Sequence, residues 1–458
     1  MRVTYVAHAC LLIESGGTRL LTDPWLDGPT YLSSWWQFPA PVLQGASLPP
    51  LDAVYLTHEH ADHFHPATLA LLPRSTPIWV GRFLRPRFLQ RLRALGFSNV
   101  RELRHGEPVR LGPLELTSYQ YRADDTALVI SDEEATLLDL NDALHRKGAL
   151  QQILDRHGPI DLLLASFANA EAYPVVYDLP VGERPDWDDQ RRFDGFLDKV
   201  RVIGPKAFAP FASMFCFLSE ELRGLNARIV SPSGLLARAG ETGAVGWALD
   251  PGDVWTPRDG RERRSTVDWA DKPRMIEAYA VRHAPQLASL AAAEVVPEGA
   301  LPAAFASAFR AFWARAPWPL RRRLTLSVRW DLSAGTLWTR FDRGRLSLER
   351  PTNWDDWDLR LIVPDWVLWR VVTGHESWQS FGISCRFRAA LQPGAREREV
   401  LFWMLLYLDD LGYLELGPLC TPRALGVLLR RRRELWEYAA GLVGGRFLQA
   451  SLRDKFET

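Results

Sequence analysis

At 458 residues the chain is about three times a typical domain length, so two structural units are expected. Its 55 basic and 55 acidic side chains balance, which argues against nucleic acid or an acidic membrane surface as a partner. Cys10, Cys216, Cys385 and Cys420 are widely scattered with no CxxC pair, which argues against a disulfide framework and a zinc ribbon and fits a reducing compartment.

The chain opens on Met1-Arg2-Val3-Thr4-Tyr5-Val6, an alternating strand pattern rather than a charged segment followed by an apolar signal core. No apolar stretch reaches the length of a membrane span, so a soluble cytoplasmic protein is expected. Val3 to Ile13 and Arg19 to Leu21 read as two strands with a turn at Gly16-Gly17. His8 falls on the first, where a core or hydrogen-bonded histidine is as good a reading as a functional one. Asp23 follows the second strand and precedes Pro24, the ordinary place for a turn former. Residues 26–50 hold Trp35, Trp36, Phe38 and several prolines, a composition that suits a loop covering a site.

The apolar-rich run Leu51 to Leu56 then leads into His58-Glu59-His60-Ala61-Asp62-His63, three imidazoles and two carboxylates within six residues. Imidazole and carboxylate are donors that suit zinc, iron or manganese. In an extended or turning backbone His58 and His60 project to one side and can bind one metal. Asp62 and His63 can then face a second position, as a two-metal site requires. His65 lies outside this spacing and reads as a surface or supporting histidine.

Beyond the motif, a helix starts over Pro66 to Leu72, Pro77 to Val80 is a strand, and Pro86 to Leu95 is an amphipathic helix. Strands are expected at Val109 to Leu111, Leu114 to Tyr121, Ala127 to Ser131 and Ala135 to Leu140. Strands mixed with short helices suit a two-sheet sandwich better than a doubly wound sheet. After the last of these strands, Asn141 reads as the cap of a helix over Ala143 to Leu154, which leaves Asp142 free to ligate at a buried strand end. Residues 159–165 and Lys206 to Phe217 are further buried strands, and Asp186 to Val202 is helical.

The motif Thr57-His58-Glu59-His60-Ala61-Asp62-His63 resembles the metal motif of the metallo-β-lactamase superfamily. Thr22 to Pro29, Trp35-Trp36, Ile78 to Arg82, Asn141-Asp142, Tyr173-Pro174, Ala209 to Ala212 and Trp255-Thr256-Pro257 look like one branch of it, CMP-N-acetylneuraminate hydroxylase and its bacterial relatives. The resemblance implies a metallo-β-lactamase-like αββα sandwich over residues 1–265. It also implies a carboxylate at Asp23 that supports the metal loop, and a bridging ligand at Asp142. Two expected histidines are missing: one before Ala127 to Ser131, one after Pro210 to Phe217. Asp124, Asp125, His145, Glu220 or Tyr121 are the residues near those points that could complete or support the site.

Residues 266–458 differ in composition, with 14 of the 19 tryptophans beyond residue 240, and read as a Trp-rich α+β C-terminal domain. Strands are expected at Leu324 to Leu332, Thr336 to Asp342, Arg345 to Glu349, Asp358 to Ile362 and Ile383 to Phe387, with a helix over Pro364 to Val372. Val400 to Leu408 and Ala424 to Leu448 are amphipathic helices suited to docking or to homo-oligomer formation.

A carboxylate-rich site favours iron, one or two per chain, with zinc or manganese as the alternatives. The implied activity is an oxygenase that activates O2 at His58, His60, Asp62, His63 and Asp142 and hydroxylates or N-oxygenates a small polar substrate. The branch takes electrons through a Rieske domain, whose paired Cys and His ligands these four cysteines cannot supply, so electrons are expected either from a separate electron-donor protein or from a dinuclear iron site itself. The alternative is a metallohydrolase that activates water against an ester, amide or phosphodiester, with Asp62 as the orienting base. Arg82, Arg85 and Arg122 are the basic residues placed to meet an acidic substrate group.

Overall fold

The computed structural model describes residues 1–168, 172–183, 189–264, 267–415, 417 and 420–432. Its opening run is three strands and not two. β1 (Arg2–Ala7), β2 (Cys10–Ser15) and β3 (Thr18–Thr22) form an antiparallel meander that turns at His8-Ala9 and again at Gly16-Gly17. The stretch Val3 to Ile13 folds back on itself because His8 takes a left-handed φ of +49°, and its apolar residues continue on both sides of the turn. No break in hydrophobicity marks the turn, so periodicity alone misses it.

β4 (Trp35–Gln37) leaves this sheet, and β5 (Ala53–Leu56), β6 (Ile78–Gly81) and β7 (Val100–Leu103) extend it from β3 by parallel pairing. α1 (Pro66–Ala70) and α2 (Arg87–Ala94) cover its outer face, burying Leu69, Phe88 and Leu92 with Leu21, Val54 and Ile78. The second sheet begins with the antiparallel strands β8 (Pro108–Leu111), β9 (Leu114–Tyr121), β10 (Asp125–Ser131) and β11 (Thr136–Asn141). After α3 (Lys147–His157) comes β12 (Leu162–Ser166), parallel to β11. β13 (Tyr177–Asp178) departs, α4 (Asp189–Ile203) packs on the outer face, and β14 (Ala207–Phe211) rejoins the sheet beside β12.

β15 (Phe215–Phe217) pairs with β4, and α5 (Glu220–Arg223) and α6 (Pro232–Leu236) follow. β16 (Val245–Gly246) ends the second sheet, and β17 (Val254–Thr256) and β18 (Gly260–Glu262) return to the first, beside β1. Between the sheets Ile13, Leu20 and Tyr55 meet Leu128, Leu137 and Leu164, all fully buried. Burial of such a side chain stabilises by roughly 1.5–3 kcal/mol. The result is the αββα sandwich, with both sheets sending the C-terminal ends of β1, β3, β5 and β11 to one edge.

α7 (Lys272–Arg282), α8 (Ala284–Ala292), α9 (Leu301–Arg315) and α10 (Trp318–Arg323) lead to a third sheet. Its strands are β19 (Leu326–Leu332), β20 (Gly335–Asp342), β21 (Arg345–Ser347), β22 (Leu359–Ile362) and β23 (Arg388–Leu391). α11 (Asp365–Val372) and α12 (Trp378–Ser384) lie between the last two strands, and α13 (Arg396–Asp410) and α14 (Pro422–Arg430) follow. The strand expected at Ile383 to Phe387 is displaced to Arg388–Leu391. Ser377 accepts from the Ser380 amide and caps a helix, with Trp378 and Phe381 recurring at helical spacing on its buried side. Of the amphipathic segment Ala424 to Leu448, the part from 433 onward lies outside the described residues.

The third sheet is joined to the sandwich. β13 pairs in parallel with β23, and Trp25, Trp35, Phe215 and Phe217 share one core with Phe309, Trp330 and Phe381. No helix among the described residues is long and apolar enough to cross a membrane.

Candidate metal centre

The site forms where strand ends of both sheets meet, and four of its non-glycine residues are left-handed: His8 (φ +49°), Asp23 (+37°), Asn141 (+50°) and Ala212 (+52°). Such conformations cost of order 1–3 kcal/mol each and persist where surrounding contacts dictate them. At Asp23 those contacts are visible. Its Oδ1 accepts the Thr57 amide at 2.8 Å, and its Oδ2 accepts the Thr57 hydroxyl at 2.6 Å, His63 Nδ1–H at 2.9 Å and the Asn141 side-chain amide at 2.6 Å. The carboxylate is completely buried.

This hub fixes two imidazole tautomers. A carboxylate only accepts, so His63 carries its proton on Nδ1 and turns the Nε2 lone pair inward. The Thr57 hydroxyl spends its own proton on Asp23 and accepts from His58 Nδ1 at 2.9 Å, so the Nε2 lone pair of His58 is exposed to the site in the same way. Both Nε2 atoms are buried without a hydrogen-bond partner. Asp142 Oδ2 stands 3.5 Å from His63 Nε2 and 3.9 Å from His58 Nε2. Two oriented lone pairs facing a carboxylate oxygen, with carboxylate and hydroxyl support behind them, fit divalent metal binding.

The charges ask for a cation as well. Burial works against a charge on His63, but Asp62 and Asp23 outweigh it and raise its pKa well above the ordinary histidine value. Burial, then the charges of His63 and His60, push His58 well below that value. Burial opposes ionisation of Asp62, yet His63 and His8 hold it well below the usual carboxylate range. Asp62 is gripped on both oxygens: Tyr31 donates its hydroxyl to Oδ1, and His8 Nε2 is 2.9 Å from Oδ2.

Residues 2–164 match the model of the β-lactamase superfamily domain. This part of the chain is a metallo-β-lactamase-fold domain. A protein of Mycolicibacterium smegmatis, named a Rieske 2Fe-2S iron–sulfur protein, is 32% identical over 241 residues, covering 49% of this chain and 46% of that relative. Cytidine monophosphate-N-acetylneuraminic acid hydroxylase of Xenopus laevis is 36% identical over 238 residues, covering 47% of this chain and 38% of the relative. The chain therefore matches less than half the length of these curated relatives. Among solved structures, CmlA, a diiron β-hydroxylase from Streptomyces venezuelae, is similar with a TM-score of 0.39 at 21% identity, over 55% of this chain and 53% of that one. An isothiocyanate hydrolase from Delia radicum gut bacteria gives a TM-score of 0.41 at 17% identity, over 56% and 98%.

Within the metallo-β-lactamase-fold domain the motif residues divide differently from the sequence expectation. His58 stands with His63 and Asp142, and Asp62 with His63 and His8. His60 keeps its ring 4.1 Å from that of His58 but directs Nε2 at the side-chain amide of Gln379. Asn141 does not cap a helix: it ends β11 and binds Asp23, and α3 starts only at Lys147 because residues 143–146 turn first.

Of the additional residues named from sequence, Asp125 meets the Nδ1 side of His58 at 3.3 Å. Burial, then Asp142 and Asp124, raise the Asp125 pKa well above the carboxylate value. Asp124 accepts the Tyr407 hydroxyl, and burial raises its pKa too. Tyr121 and His145 pack edge to face at 5.3 Å. Glu220 is exposed at the start of α5 and lines a separate cavity of about 1080 Å³ between α7–α8 and the third sheet. Among the arginines, Arg85 donates to the Glu415 carbonyl at 2.9 Å and Arg122 lies over the Tyr121 ring.

Sequence reasoning left His8 open between a hydrogen-bonded and a functional role, and did not single out Tyr31, Gln379 and Tyr407. Tyr31, Leu32 and Ser33 are three successive left-handed residues, a turn with no glycine to announce it. Gln379 and Tyr407 reach the centre from more than 280 residues away, and no local pattern signals such contacts.

Proposed function

We propose that the chain is a metal-dependent oxygenase, with iron as the favoured metal, that hydroxylates or N-oxygenates a small polar substrate at the HxHxDH site. The observation that carries this reading is the donor set. Two buried imidazole lone pairs, His58 and His63, face Asp142 with Asp62 beside them, a mixed imidazole and carboxylate donor set that accommodates iron or manganese as well as zinc. Sequence relatives named as hydroxylases of a sugar nucleotide support the same reading.

Bound there, the metal would supply the O2 chemistry. The chain's own residues orient and shield: Asp23 and Thr57 lock the imidazole tautomers, Tyr31 and His8 fix Asp62, and Trp25 packs its ring edge against His8 at 5.2 Å. Gln379 and Tyr407 bring the C-terminal unit against His60 and Asp124 at the edge of the centre. Electrons would come from a separate donor protein.

The test is O2 consumption by iron-loaded protein given a chemical reductant. The reading expects uptake above that of a zinc-loaded control and of an Asp142→Ala variant. Protein that binds iron yet consumes no O2, while zinc-loaded protein cleaves ester or phosphodiester probes, would replace the oxygenase with the metallohydrolase.

A further inference from the structure

We infer that His8 is a metal ligand, and that His8, Asp62 and His63 form one metal position of the centre. The inference rests on the reading of the centre as a metal site but not on the oxygenase reaction.

The geometry of His8 carries it. Nδ1 lies 3.1 Å from the Met214 carbonyl oxygen, an atom that can only accept, so a ring proton sits on Nδ1. Nε2 faces a second acceptor, Asp62 Oδ2, at 2.9 Å, so the metal-free contact holds a proton. A divalent cation bound there takes that proton's place and meets the Nε2 lone pair and the carboxylate oxygen together. His63 Nε2 lies 3.5 Å from the same Oδ2, and the three donor atoms are all within 4.8 Å of one another. Donors ~2.1 Å from an ion at tetrahedral angles stand roughly 3.4 Å apart, so these separations match a divalent first-row transition ion with little movement.

The backbone is bent to deliver this ring. His8 follows β1 in the left-handed region, and its carbonyl accepts the Ala212 amide at 3.2 Å, tying the turn to the end of β14. Its side chain is almost fully buried against Trp25, and the ring lies edge-on to His63 at 5.8 Å. A histidine whose only task was to fill space would not require a left-handed backbone, and glycine or asparagine fits that conformation at lower cost.

His63 has one free lone pair and can serve one ion. Assigned to the position with His8 and Asp62, it leaves His58 and Asp142 for the other, with His60 adjacent once it parts from Gln379. His8 thereby supplies, from the first strand, the nitrogen that the sequence lacks after Phe217.

The experiment is cobalt(II) titration of metal-stripped full-length protein, read by equivalents bound and by the visible ligand-field spectrum, for wild type, His8→Gly and His8→Gln. Glycine suits the left-handed backbone, so that variant keeps the fold, which circular dichroism confirms. Glutamine retains a hydrogen-bonding group opposite Asp62 without an imidazole. Two equivalents in the wild type and one in each variant, with added imidazole restoring the second to His8→Gly, is the expected result. Equal binding and equal spectra in wild type and His8→Gln would overturn the inference and leave His8 as a hydrogen-bonding partner of Asp62. No cobalt bound by the wild type would instead refute the metal reading of the whole centre.

Discussion

His63 Nδ1–H donates to Asp23 Oδ2 at 2.9 Å from 40 residues further along the chain, and Asn141 reaches the same oxygen at 2.6 Å from the opposite sheet. Asp23 is thus the point where the motif loop, β3 and β11 are held in one register. Asp23→Ala would leave the Thr57 amide and hydroxyl, His63 and Asn141 without their acceptor. Buried unsatisfied groups cost ~1–3 kcal/mol each, so a loss of at least about 3 kcal/mol in denaturant unfolding is expected. Metal affinity should fall by roughly 10–100-fold, as for other partners that orient a ligand imidazole. Asp23→Asn keeps one acceptor oxygen and should lose less on both measures.

Asp139 sits on β11, completely buried and two residues before Asn141. Burial, then the nearby charge of Asp23, raise its pKa well above the ordinary value of 3.8. The native state therefore keeps a proton that the unfolded chain releases near that value, and stability contributed by the neutral form is lost as pH rises from there toward the folded pKa. Asp139→Asn removes this dependence. In metal-free protein its melting temperature should match the wild type near pH 4 and exceed it by a margin that grows toward neutral pH. A margin that does not change with pH would show that Asp139 is ionised in the fold.

Gln379 turns its amide to His60 Nε2 from the N-terminal end of α12, and Asp410 holds the Gln379 backbone amide at 3.0 Å. Gln379→Ala frees His60 without opening a deep core, since Gln379 is only half-buried. Metal uptake followed by stopped-flow absorbance should be faster than in the wild type, with thermal stability within about 1 kcal/mol, as expected when one hydrogen bond is lost. An unchanged uptake rate would mean that the Gln379 contact does not limit access to His60.

Much of this site is legible in the sequence because its chemistry is local. His58, His60, Asp62 and His63 stand within six residues after a buried strand, and Asp23 and Asp142 close strands of their own. The sandwich was legible for the same reason, since β5, β9 and β11 are runs of apolar or alternating residues between turn formers. The turn at His8 was not, because Val6, Ala7, Ala9 and Cys10 are buried on either side of it and hide the reversal. Asn141 was misread because the residues before a helix and those after a strand draw on the same side chains. The contacts of Gln379 and Tyr407 arise from docking a third sheet on the sandwich, a tertiary event that no window of sequence encodes.

The most direct test of the central claim, that His58, His63, Asp142 and Asp62 hold a redox metal, is the metal content of full-length protein purified with neither added metal nor chelator, together with its absorption and Mössbauer spectra. The account predicts near-stoichiometric iron, one or two per chain, lost when His63 or Asp142 is replaced. Tightly held zinc with no redox response would contradict the iron assignment, and protein carrying no metal and binding none on titration would contradict the centre itself.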